Sequence, residues 1–115
     1  MSDETVLKLE KRQEGDISIV SAEGKIDALT APALKKMLLG LSGKKPQVIC
    51  DFKKVTYISS AGVGALIEFK NNAAKTGGNL VLCSLSAEVT KVFQILGFTE
   101  FFKITSDLAA AKKGF

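Results

Sequence analysis

Two adjacent hydroxyl side chains, Ser59 and Ser60, stand just ahead of Gly62 and Gly64 in the run Val55-Thr56-Tyr57-Ile58-Ser59-Ser60-Ala61-Gly62-Val63-Gly64. Apolar β-type residues precede them, and Val63, Leu66 and Ile67 follow at helical spacing, so the run reads as a strand handing over to a helix. At such a junction the first N–H groups of the helix have no partner within it, and the positive end of the helix dipole faces whatever the serines carry. An anion is tolerated there. The same residues also have a purely structural reading, in which Ser59 or Ser60 is an N-cap and the glycines let the helix pack closely on the sheet.

Three chemistries that place glycine and serine at a helix start fail on spacing. A nucleotide-phosphate loop requires Gly-x-x-x-x-Gly-Lys-Ser/Thr, but Ala65 follows Gly64 and the next lysine is Lys70. A dinucleotide fingerprint needs a third glycine where Ile67 stands. A nucleophile elbow needs a histidine, and the chain has 0 His, which also removes the commonest general base and every histidine-containing metal site. Asp27 and Asp51 near strand ends are thin grounds for catalysis. What remains is a serine that accepts phosphate, where the added charge switches the surface and leaves the fold intact.

At 115 residues the chain has room for one domain, spanning 1–115, and a chain of this size removes roughly two thirds of its surface from water on folding. Hydrophobic residues at 46% and charged residues at 24% lie in the globular range and argue against disorder. Cys50 and Cys83 sit inside apolar runs with no Cys-x-x-Cys pair, which reads as two buried free thiols. Of the 16 basic residues only Arg12 is an arginine, and the lysines are scattered in pairs, so a phosphate-reading nucleic-acid surface is not expected. The beginning of the sequence has no secretory apolar region and no run approaches the ~18 apolar residues of a membrane span, so a cytoplasmic protein without membrane insertion is expected.

The elements that must position the serines follow from pattern. Val6-Leu7-Lys8-Leu9 and Ile17-Ser18-Ile19-Val20 around Gln13-Glu14-Gly15-Asp16 read as an opening antiparallel hairpin. Thr30-Ala31-Pro32 starts a helix with Leu34, Met37, Leu38 and Leu41 on one face, ending towards Gly40 and Gly43. Residues 48–52 are apolar on both sides and belong near the sheet centre. A second helix from Ser60 buries Val63, Leu66, Ile67 and Ala73 or Ala74 and stops at Gly77-Gly78. Residues 79–83 form a further strand, and Ser86 opens a third helix with Val89, Val92, Phe93 and Leu96 inward up to Gly97. Residues 101–104 form a last strand, and Ser106-Asp107 caps an alanine-rich final helix ending at Lys112 and Lys113. Phe98, Phe101 and Phe102 read as core. Strands alternating with helices after a hairpin give an α/β fold, a mixed sheet backed by about four helices, whose working sites lie where parallel strands hand over to helices.

On these residues the chain resembles the STAS domain family and, within it, the small bacterial anti-sigma factor antagonists. The resemblance rests on Gly24-Lys25-Ile26-Asp27, on residues 48–52 leading into the 55–64 run, on Gly77-Gly78-Asn79-Leu80-Val81-Leu82, and on Phe93-Gln94-Ile95-Leu96-Gly97-Phe98. It implies a non-enzymatic protein without a cofactor that docks on an anti-sigma factor serine kinase when unphosphorylated. Phosphorylation of a serine at the junction releases it, and a metal-dependent PP2C-type phosphatase restores binding. The family's Asp-Ser-Ser/Thr/Ala-Gly pattern falls on Ser59, Ser60, Ala61 and Gly62, which makes Ser60 the phosphoacceptor, with Ser59 as second choice. Ser59 stands where the family carries an acidic residue, and Ala61 where other members carry a second hydroxyl. The resemblance further implies a partner face made of Asp27, Ser59, Ser60, Ala61, Gly62, Val63 and Gly64; on its local sequence Asp27 also reads as a turn residue ahead of the first helix. The alternative within the family is a constitutive subunit of a membrane lipid-export ATPase complex, unregulated by phosphate.

Overall fold

In the computed structural model, residues 7–41 and 45–115 are described. Successive residues of three strands are buried in adjacent pairs: Ile19 and Val20, Ile49 and Cys50, Val81 and Leu82. Because successive side chains of a strand point to opposite faces, such a sheet must be covered on both sides.

Five strands among the described residues deliver this, β1 (Lys8–Glu14), β2 (Ile17–Ile26), β3 (Gln47–Ile58), β4 (Asn79–Cys83) and β5 (Lys103–Thr105). They lie side by side in chain order, β1 antiparallel to β2 and every later pair parallel. Among the described residues four helices cover them: α1 (Ala31–Leu39), α2 (Ser60–Ala74), α3 (Ala87–Leu96) and α4 (Leu108–Lys112). The first three pack Leu34, Leu38, Val63, Leu66, Phe69, Val89 and Phe93 on one face, against Val20, Cys50, Phe52 and Leu82. On the other face α4 places Ala111 over Ile19, Ile49, Val81 and Cys83. The α/β class, the opening hairpin and the central place of residues 48–52 agree with the sequence reading.

Several boundaries differ, each for a physical reason. The hairpin turn is only Gly15-Asp16, since Gln13 and Glu14 still pair with Ser18 and Ile17, and Gly15 takes the left-handed φ of +61° that a two-residue turn requires. Val6, Gly43 and the acidic residues at 3–4 lie outside the described residues. The strand expected over 48–52 continues to Ile58 because β2 runs alongside it to Ile26, through two irregularities at Ser21/Glu23 and Gly24/Lys25. In α2, Phe69 joins the core, Ala73 is buried and Ala74 is exposed. Leu96, expected inward, is 39% exposed, because the chain turns back at left-handed Gly97 and donates the Phe98 N–H to the Phe93 carbonyl, so that Phe98 packs on the core in its place. The last strand begins at Lys103, and the phenylalanines ahead of it form an edge-to-face chain, Phe98 to Phe101 to Phe102 to Phe93, with centroids 5.7, 5.0 and 5.4 Å apart.

Cys50 is in register with Leu82 and Cys83 with Asp51, so the two thiols point to opposite faces of the sheet and cannot form a disulfide there. Both are free and buried, and burial pushes the Cys83 thiol up to about 11 and that of Cys50 higher still. The final helix is capped by Asp107, whose Oδ1 accepts the Ala110 N–H at 2.8 Å. Lys112 then ties it to the hairpin through Glu14 at 2.6 Å, and with Arg12 it holds the Glu14 carboxyl below the usual carboxylate range.

Candidate functional site

Two strand-to-helix junctions meet at one end of the sheet. Ile26 and Ile58, the last residues of β2 and β3, are in register, and the Ser59 N–H donates to the Ile26 carbonyl at 2.8 Å. The loop of Asp27 and the start of α2 are thereby pinned side by side.

Ser59 is the N-cap residue of α2, with extended backbone at φ −100° and ψ 175°, yet its side chain makes no capping bond. Its Oγ is buried and has no hydrogen-bond partner among the described residues. Ser60, the first helical residue, is exposed. The first turn carries no acidic residue, so the orphan N–H groups of Ser60, Ala61 and Gly62 act through the helix dipole alone.

The two glycines have opposite roles. A Cβ on Gly62 would meet Ile26 Cγ2 at 2.6 Å and Ile58 Cγ1 at 2.7 Å, whereas one on Gly64 would meet nothing within 4 Å. Gly62 and the buried Val63 therefore belong to the seam between α2 and the sheet. Ser60, Ala61 and Gly64 are exposed and Asp27 is half-buried. The seven candidate residues thus divide into a packed seam and an accessible rim.

The Asp27 loop is built on side-chain bonds. Asp27 Oδ1 accepts the N–H of Leu29 at 3.0 Å and that of Thr30 at 3.1 Å. The Thr30 hydroxyl accepts the Asp27 N–H at 2.9 Å and donates to the Lys25 carbonyl at 2.8 Å. This explains why Thr30, expected to cap α1, makes no capping bond: its oxygen is engaged by the loop behind it, and the side chain is buried. Asp27 is the turn residue that its local sequence suggests. Sequence reasoning read Thr30 as a helix cap and missed its part in this loop; the Asp-x-x-Thr spacing was the available signal, since Asp and Thr bond readily to backbone two or three residues away.

A groove of about 310 Å³ lies elsewhere, on the sheet face shared with α4, lined by Lys8, Glu10, Ser21, Asp51, Lys53 and Lys54 among others. It includes none of the candidate residues. The rim around Ser60 is a surface that a macromolecule could cover.

Comparison with known proteins bears on the family and the fold. The sequence matches the STAS domain family over residues 8–111. It is 31% identical to the anti-sigma-B factor antagonist of Bacillus subtilis over 96 residues, 84% of this chain and 87% of that protein. The fold superposes on an anti-sigma factor antagonist from Mycobacterium paratuberculosis with a TM-score of 0.88 at 21% identity, covering 99% and 97% of the two chains. It also superposes on the Bacillus cell fate determinant SpoIIAA, solved unphosphorylated (TM-score 0.74, 19% identity, 94% and 95% coverage) and phosphorylated (0.68, 17%, 96% and 100%).

Proposed function

Because the chain belongs to the STAS domain family, we propose that it is a cytoplasmic anti-sigma factor antagonist that binds an anti-sigma factor serine kinase through the rim around Ser60 and is released when Ser60 is phosphorylated. A PP2C-type phosphatase would then restore binding. The observation that carries this reading is the placement of Ser60, exposed at the first position of a helix whose first turn is packed on the sheet at Gly62. A kinase can reach the hydroxyl, and the fold beneath it does not depend on that hydroxyl.

The energetics favour release without refolding. A phosphoserine carries about −1.5 to −2 charges at neutral pH, which takes the formal +4 to roughly +2 and concentrates the change on one spot. Burying that dianion unpaired, or against a partner carboxylate, costs ~2–5 kcal/mol. The gain of ~0.3–1 kcal/mol from the helix dipole acts in the free protein as well, so it cannot offset the loss. The relative from Bacillus subtilis, matched over most of its own length, is an antagonist, which favours a regulator over a transporter subunit and over an enzyme.

Calorimetric titration of the unphosphorylated chain against each purified serine-kinase anti-sigma factor of its own organism tests the assignment. One kinase should bind with a Kd of about 1 μM or tighter. Binding to none of them would contradict the reading.

A further inference from the structure

We infer that Asp27 is a positioning residue, and that Leu29, which it holds, is the side chain that enters an apolar recess of the anti-sigma factor. The inference rests on the partner-switching reading above and names what that partner must offer at this site. Leu29 is 74% exposed. A single surface leucine is ordinary, but the backbone under this one is held by side-chain hydrogen bonds. Asp27 Oδ1 accepts the N–H of Leu29 itself and that of Thr30, and the buried Thr30 hydroxyl ties the loop to the Lys25 carbonyl. A loop needing only to connect β2 to α1 has no use for an apolar side chain fixed in water. One that docks does, because a side chain whose backbone is already ordered loses less freedom on binding.

The position fits the rim. The Ser59 N–H to Ile26 carbonyl bond joins this loop to the start of α2 one residue ahead of Asp27, so Leu29 and Ser60 belong to one pinned unit. By contrast, the exposed Leu39, Ile95 and Leu96 sit in the last turns of α1 and α3, away from the strand-to-helix junctions. Exposed Ala28, Ala61 and Gly64 add no charge to the rim. The surface that meets it is therefore apolar where it receives Leu29. The competing reading is that the Asp27 carboxylate, half-buried rather than fully covered, touches the partner directly.

Asparagine separates the two. Its side-chain oxygen can accept the same two N–H groups without the charge. In titrations against the kinase that binds the wild-type chain, Asp27→Asn should stay within ~3-fold of wild type, while Leu29→Ala should weaken binding by roughly 10-fold or more. Asp27→Ala should weaken it similarly, and Asp27→Ala combined with Leu29→Ala should be little worse than Leu29→Ala alone, because both remove one contact. Leu29→Ala should leave Tm unchanged. Asp27→Asn as weak as Asp27→Ala, or Leu29→Ala as tight as wild type, would overturn the inference while the wild-type titration still upholds the proposed function. A wild-type chain that binds no kinase would overturn both.

Discussion

Ser60→Asp weakens binding to the anti-sigma factor kinase by roughly 30-fold or more and leaves Tm within a few degrees of wild type. The lower end of the ~2–5 kcal/mol penalty applies because aspartate carries one charge where phosphoserine carries nearly two, and every 1.4 kcal/mol is about tenfold in affinity. The fold is spared because Ser60 is exposed and a carboxylate in the first turn of a helix interacts favourably with its dipole. Ser60→Ala should bind as wild type and resist phosphorylation. Titration calorimetry gives the affinities and a thermal melt the stability. A Ser60→Asp protein that melts far below wild type would mean that the position supports the fold, and the surface-switch account would fail.

The second large effect separates two glycines that look alike in sequence. Gly62→Ala places a methyl group 2.6 Å from Ile26 Cγ2 and 2.7 Å from Ile58 Cγ1, both on fully buried isoleucines at the ends of β2 and β3. Overpacking of this kind costs ~1–3 kcal/mol, and the larger Gly62→Val lies at or above the top of that range. For a domain of this size the loss lowers Tm by roughly 5–15 °C. Gly64→Ala meets open space and gains helix propensity, so Tm should hold or rise by a few degrees. If, as proposed, the partner docks on this rim and approaches the backbone at Gly64, Gly64→Ala should lower affinity by about tenfold while the protein stays folded. If Gly62→Ala melts like wild type, the seam does not hold the α2 start as described.

The sequence carried the class of the fold because its signals were redundant. The hairpin, the apolar runs and the capped helices all pointed to the same mixed sheet. Legibility failed where a boundary depends on a neighbouring element. Residues 55–58 read as β-type ahead of the helix, but Lys53-Lys54 breaks the apolar pattern, and only β2 running alongside makes one continuous β3 up to Ile58. Leu96 has the right helical spacing for burial, but the turn at Gly97 hands its place to Phe98, a tertiary outcome. At the site, Ser59 and Ser60 were located by spacing, whereas the division of labour between Gly62 and Gly64 depends on two isoleucines contributed by different strands. Leu29 was invisible because a leucine ahead of a helix reads as core, and only its exposure sets it apart.

Intact mass with fragmentation, after incubation of the chain with the kinase it binds and ATP, tests the central claim most directly. The account predicts a single addition of about 80 Da, located on Ser60 in the wild-type chain and absent from Ser60→Ala, with release of the modified chain from the kinase. Phosphate on Ser59 instead, or an unmodified chain that nonetheless binds the kinase, would contradict it.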